Sequence, residues 1–304
     1  MPVILFTSFF LNQTEKMRII TTIVFLLSFS NTLFCQKQFN IPDIPRIHNF
    51  IERLPRLIKT HNLEEIRASE DSLNIRIWQS NSVMTVSVDE ETVSEYQVFT
   101  TGSDPEIKDT TFSTATSKRI LKSILQNKVM TVKDDPSSGI DGAMVYIEIS
   151  TPESYKIVSM WSPCDEKDQN KKRVVKILRD INEEIDTKKI IDDFQVSLDP
   201  GGYSWGMTSF SIDRFLDDEQ EKTDFYKRAE AKIKNELNIN EQTDPRHFPL
   251  VVINGIPRTG IADLNKYTDS EVESIKVLSG SDGKGTELYG RRGENGVVLI
   301  KTIN

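Results

Sequence analysis

The chain has 304 residues, a hydrophobic share of 37%, a charged share of 28% and a formal net charge of −8. That length accommodates about two domains with a sizeable core, and the composition is that of a globular chain rather than a disordered one. An acidic chain without a basic block lacks the clustered Lys and Arg that release counterions from phosphates, so nucleic acid is excluded as an expected partner.

The first 35 residues read as a secretory signal peptide. Lys16 and Arg18 precede an apolar run from Ile19 to Leu27, then small and polar residues around Ser28 to Thr32, then Leu33, Phe34 and Cys35 before Gln36. Charged, apolar, then small and polar is the order of an export signal. The run falls short of the roughly 20 apolar residues of a membrane span, which sets cleavage ahead of the competing reading, a permanent signal anchor. Met17 offers an internal start. Cys35 raises the possibility of lipidation, but Phe34 before it is bulky where acylation favours a small residue; cleavage between Cys35 and Gln36 is the expectation. Removal of Cys35 would leave Cys164 as the sole thiol, expected to be packed or idle rather than nucleophilic.

Residues 36–215 read as an α+β domain of no recognisable family, an antiparallel sheet with covering helices. Helical spacing of apolar residues over 50–58 is interrupted by Pro55. Leu73, Ile75 and Ile77, then Met84, Val86 and Val88, alternate as strands, and 96–99 adds a third. A short helix is expected over 117–126. Strands over 143–149 and 155–161 are separated by a five-residue break suited to a hairpin. The strongest helix runs over 170–185, with Val174, Ile177, Leu178, Ile181 and Ile185 on one face. A turn at Pro200, Gly201 and Gly202 leads to a last strand over 207–212. Residues 216–245 shift to acidic composition and read as a helical connector.

Residues 246–304 carry the specific signal. Pro249 to Ile253 is a continuous apolar run suited to a buried strand. Asn254 and Gly255 supply positive-φ turn chemistry. A second strand ends at Ile275, Lys276, Val277 and Leu278. A glycine-rich loop then enters Leu288, Tyr289, Gly290, Arg291, Arg292, Gly293, Glu294, Asn295 and Gly296, and a last strand starts at Val297. Gly255, Gly290 and Gly296 mark reversals or close approaches, Tyr289 is expected to lay its ring on the small sheet, and Arg292 to pair with Glu294.

The order PLVVINGIP, VESIKVLSG, ELYGRRGENGVVLIKT resembles the plug domain of TonB-dependent receptors, in the form common in Bacteroidota. The matching positions are Asn254, Gly255, Ile275, Val277, Leu288, Tyr289, Gly290, Arg292, Asn295, Gly296, Val297 and Ile300. The resemblance covers about a fifth of the chain and is silent on residues 36–240. It implies a small mixed sheet with a structural motif, in a protein of the periplasm or outer membrane. A full receptor continues into a large barrel. This sequence ends at Asn304, so the expectation is a plug-like module without its own pore.

Catalytic motifs fail on spacing. Lys284 is followed by Gly285, which breaks the phosphate-loop pattern. No HExxH, CxxC or Gly-x-Ser-x-Gly pattern occurs, and no catalytic, metal or cofactor residue is singled out. The leading expectation is a non-catalytic, exported envelope protein that uses the plug-like segment to dock on another envelope protein. The alternatives are an accessory subunit or remnant of a TonB-dependent uptake system working with a barrel receptor, and an enzyme with a site in the middle domain near Trp161, Tyr203 or Trp205.

Overall fold

A computed structural model describes residues 37–135, 137, 139, 142–164, 168–258, 260–280 and 283–303. The expected signal peptide, with Cys35 and Gln36, lies outside the described residues.

In chain order the first module contains β1 (Gln38–Asn40), α1 (Pro45–Thr60), β2 (Leu73–Trp78), β3 (Ser82–Val88), β4 (Thr92–Phe99), β5 (Ile107–Thr111) and α2 (Thr114–Gln126). It continues with β6 (Met144–Ser150), β7 (Ser154–Trp161), α3 (Gln169–Ile185), α4 (Thr187–Ser197), β8 (Gly201–Trp205) and β9 (Thr208–Ile212). β2 to β5 form an antiparallel meander. The β6–β7 hairpin adds to the free side of β2, and β1 closes that edge parallel to β7, giving the order β1-β7-β6-β2-β3-β4-β5.

Helices cover this sheet on both sides, which is why β2 is buried residue after residue. On one side α2, α3 and α4 meet a largely apolar surface that includes Ile75, Ile77, Met84, Val86, Tyr96, Val98, Ile147 and Val158. On the other side α1 packs Ile47, Phe50 and Leu54 against Trp78, Val83, Phe99, Tyr155 and Ile157. Pro55 does not break α1, contrary to the interruption read from sequence. An interior proline costs about 3 kcal/mol, whereas burying each of three large apolar side chains contributes about 1.5–3 kcal/mol. Burial wins.

The helices of the apolar side are fixed at their starts by side chains. Ser113 accepts the Thr116 N–H, Asp168 those of Asn170 and Lys171, and Asp186 that of Lys189. Asp186, in a left-handed conformation, both ends α3 and starts α4, a helix the sequence reading missed. The expected last strand over 207–212 is β9, but it does not extend the large sheet. It pairs with β8 in a separate two-stranded ribbon, and β8 begins at Gly201, where only a turn was expected.

The second module is built from α5 (Asp224–Leu237), β10 (Leu250–Ile253), β11 (Ile256–Arg258), a 3₁₀ segment (Ile261–Lys266), β12 (Val272–Leu278), α6 (Lys284–Tyr289) and β13 (Val297–Thr302). Its sheet has the order β11-β10-β13-β12, with β10 parallel to β13 and the other pairs antiparallel. α5 lies within the stretch expected as a connector, yet Phe225, Tyr226, Ala229 and Ile233 are buried against Val251, Ile253, Ile261, Val298 and Ile300. The helix is half of this module's core. The whole is a mixed α+β architecture, with a large sheet and a small C-terminal mixed sheet.

The modules are joined by polar clasps. Both carboxylate oxygens of Asp213, just after β9, accept the backbone N–H of Ile261, at 3.0 and 2.8 Å. Burial pushes the Asp213 carboxyl up to about 6, against the pull of these hydrogen bonds. Arg246 holds Asp244, Asp192 and Gln195 at once, which ties the segment before β10 to α4 and raises the guanidinium above its ordinary value.

Candidate functional surfaces

Every described residue of the sequence motif falls within the C-terminal module. Asn254 and Gly255 form the two-residue turn between β10 and β11 with φ of 51° and 80°, the left-handed pair that a tight hairpin requires. The Asn254 side chain also clamps the end of β13: its Nδ2 donates to Thr302 Oγ1 at 2.7 Å and its Oδ1 accepts from Thr302 N at 3.0 Å. Ile275 and Val277 lie on β12 opposite Ile300 and Val298 and pack on the α5 side. Val297 and Ile300 are buried in β13, on opposite sides of the sheet.

Tyr289 packs its ring on the other side, against Val252, Leu278 and Val297, as the sequence suggested. Leu288, next to it on α6, is 65% exposed. Gly290 ends α6, and Asn295 Nδ2 donates to the Arg246 carbonyl at 3.4 Å, linking the motif to the inter-module clasp. The expected pair between Arg292 and Glu294 is not formed: Glu294 meets Arg291 instead, at 3.8 Å, three residues back along the 3₁₀ turn. Both partners are largely exposed, so this pair contributes little.

One feature of the glycine-rich stretch was not legible from turn chemistry. Gly285 and Gly293 cross with their backbones in contact: a Cβ on Gly293 would lie 2.2 Å from the Gly285 carbonyl oxygen, and one on Gly285 would lie 2.5 Å from that of Gly293. This crossing docks α6 against the turn that leads into β13. It requires glycine at both positions, in addition to Gly255, Gly290 and Gly296, where the sequence placed the constraint and where φ is positive at each.

A second surface lies in the first module, on the α1 side of the large sheet. There the strand residues that face away from the apolar core include Asn74, Arg76, Gln97, Glu148, Ser150 and Ser159, all buried. Arg76 stands directly across from Glu148 in the β2–β6 register and from Thr85 in the β2–β3 register, and donates to Thr85 Oγ1 at 3.1 Å. Glu148 accepts from Trp78 Nε1 at 2.6 Å and from Tyr155 OH at 2.9 Å. Burial raises the Glu148 carboxyl and lowers the Arg76 guanidinium; their mutual attraction offsets part of each shift. His61, at the end of α1, is buried, hydrogen-bonded to Gln97, and shifted down by desolvation, which favours the neutral ring.

Because one helix alone covers this side, it leaves a cleft of about 600 Å³ between α1 and the ends of β2, β4 and β6. α1 lines it with Arg46, Arg53 and Arg56, at positions i, i+7 and i+10. Phe50, stacked on Tyr146 at 4.0 Å, Trp78 and Phe99 form its base, and the β4–β5 loop closes one wall. Sequence reading saw the apolar stripe of α1 and passed over these arginines, whose spacing was the available signal. Of the aromatic residues expected around a hidden site, Trp205 packs against Phe194 and Phe210, and Tyr203 against Phe210. Trp161 ends β7. Cys164 is exposed, not packed.

Among the described residues no three His, Cys, Asp or Glu side chains converge as a metal site, and no helix is long and apolar enough to cross a membrane. The chain matches no protein-family model, and no curated protein is detectably similar to it in sequence.

Proposed function

We propose that this protein is an exported cell-envelope protein that acts by binding rather than catalysis, with its C-terminal module as the docking domain. The observation that carries the reading is the way one small sheet gathers the plug-like motif. The Asn254–Gly255 hairpin, the parallel β10–β13 pair and the glycine crossing before β13 together give the mixed sheet that the resemblance to TonB-dependent receptor plugs implies. The module also presents apolar side chains to solvent, with Ile256, Leu288 and Ile303 each more than half exposed. Its partner on this reading is another envelope protein. An outer-membrane barrel receptor as that partner would make the chain an accessory subunit of an uptake system.

The test is fractionation of cells that express the protein, followed by crosslinking from positions 256 and 288 and mass spectrometry of the adducts. Recovery in the envelope fraction, with a reproducible partner captured from both positions, is the expected outcome. A barrel receptor among the adducts selects the accessory-subunit form. Recovery in the cytosol, or no adduct above that from an exposed position on α3, overturns the proposal.

A further inference from the structure

The arginine-lined cleft of the first module has no part in the docking reading and does not depend on it. The geometry points to a binding site there for a small organic oxyanion, a carboxylate or phosphate group carried on a ring or short apolar body.

Charge is the first ground. Arg46, Arg53 and Arg56 lie along one stripe of α1, with rises of about 10 and 5 Å between successive pairs, and the lining contains no Asp or Glu in a chain of net charge −8. Elsewhere several exposed cations sit beside a carboxylate, as Arg119 beside Glu184, Arg228 beside Asp269 and Lys301 beside Glu273. These three guanidinium groups form no ion pair among the described residues. Asp134 is felt by Arg46 at longer range, but it accepts the Ser159 N–H and lies outside the lining.

The second ground is unsatisfied polarity. Three buried side-chain polar atoms among the described residues have no hydrogen-bond partner, and two belong to the cleft: Arg46 Nη2 and Thr101 Oγ1. Arg46 is nonetheless fixed, because its Nε donates to Ser159 Oγ and its Nη1 to the Ser137 carbonyl, each at 2.8 Å. A held guanidinium with no ion-pair partner and one unpartnered donor suits an oxyanion's acceptor oxygen.

The base supplies the third ground. Phe50, Tyr146, Trp78 and Phe99 offer an aromatic floor, and 600 Å³ falls within the range of small-molecule pockets. A long polyanion fits less well, since Asp43 and Glu52, neighbours of the stripe along the chain, are exposed. The ligand is therefore small, with its acid group among Arg46, Arg53 and Arg56 and its body toward Phe50.

Titration of the purified protein with phenyl phosphate, inorganic phosphate and benzyl alcohol, followed by NMR, tests this. The variants are R53Q/R56Q, both exposed and so neutral to folding, and K172Q/R179Q on the solvent face of α3 as a control of equal charge change. Phenyl phosphate is expected to bind saturably and more tightly than either half-probe. Its affinity should fall about tenfold in R53Q/R56Q, as expected for losing charge-assisted hydrogen bonds, and stay unchanged in the control. Absence of saturable binding, or equal weakening in both double variants, overturns the site. Inorganic phosphate binding as tightly as phenyl phosphate overturns the role of the aromatic floor.

Discussion

The same strands of the large sheet present two unlike surfaces. Toward α2, α3 and α4 they show mainly apolar side chains and no buried charged one, with Ser94 bonded to Ser117 of α2 a buried polar exception; toward α1 they show Arg76, Glu148, Gln97 and Ser159 among aromatic rings. The helices differ in step. All three on the apolar side carry a side-chain N-cap, whereas α1 starts at Ile44 with none and contains Pro55. Three capped helices seal one side, and a single helix with little local support leaves the other with buried charge and a cleft. The contrast teaches that a two-sided sheet need not bury both sides by the same physics: one side is held by apolar volume almost alone, the other by apolar packing around buried charged and polar groups.

The largest effect should come from breaking that polarity. Arg76→Met removes the cation that faces Glu148 across the β2–β6 pair, and leaving a buried charge uncompensated costs about 3–5 kcal/mol. The loss should depend on pH. Without Arg76 the Glu148 pKa, already raised by burial, rises further. A raised carboxyl contributes its stability below the unfolded value and loses it as pH climbs through the folded one. Urea denaturation at pH 5 should therefore show a smaller deficit than at pH 8, and R76M/E148Q should recover most of the loss at pH 8. An equal deficit at both pH values would mean that the pair is a packing contact and no more.

The counterpart on the other side is Ile177→Ala in α3. Ile177 is fully buried among the apolar core, so truncation should cost about 3 kcal/mol, within the usual 2–5 for such cavities. This cost should be the same at pH 5 and pH 8, since no ionisable partner is involved. A marked pH dependence here would erase the distinction between the two sides.

How much of this was legible in the sequence depended on how local the cause was. β2, β3, α3 and the Asn254–Gly255 hairpin announced themselves through side-chain alternation, a 3.6-residue stripe and a left-handed dipeptide, all features read within a few residues. The parallel addition of β1 to β7, the glycine crossing of Gly285 with Gly293, and the meeting of Arg76 with Glu148 are set by segments far apart in the chain, and no local pattern reports them. α4 was missed because Asp186 breaks the helical period just where α3 ends and its few apolar residues, Ile190, Ile191 and Phe194, form too short a stripe. The cleft was missed for a different reason: its arginines lie beside the apolar stripe of a helix that was read for that stripe alone.

Asp213 is the place where the apolar side acquires a titrating group, since it directly follows Ile212 of that core and clasps Ile261 of the C-terminal module. Its pKa is raised from 3.8 to about 6 by burial, with Asp263 adding repulsion and Arg214 attraction. The sign follows as for Glu148: its contribution is full below pH 3.8 and declines as pH rises through 6. Asp213→Asn keeps one acceptor for the Ile261 N–H and removes the charge. Amide exchange at 261–264 should become faster between pH 4 and pH 7 in the parent protein, after correction for intrinsic rates, by an amount equivalent to about 2 kcal/mol, and the trend should flatten in the variant. Identical pH trends in the two proteins would show that the clasp does not titrate in this window.

The smallest expected effect tests the capping contrast itself. Ser113 Oγ accepts the Thr116 N–H at 3.3 Å and donates to Thr116 Oγ1 at 3.2 Å, which starts the helix that buries Ile120 and Ile124. Ser113→Ala should cost about 1 kcal/mol, seen as faster exchange of the amides at 114–117. Exchange in α1 should stay unchanged, because that helix derives its order from Ile47, Phe50 and Leu54 and has no cap to lose. If α1 loosens together with α2, the two sides of the sheet form one cooperative unit and the capping difference has no energetic meaning. If only α2 responds, the two sides of the sheet open independently, and the capping difference is an energetic one.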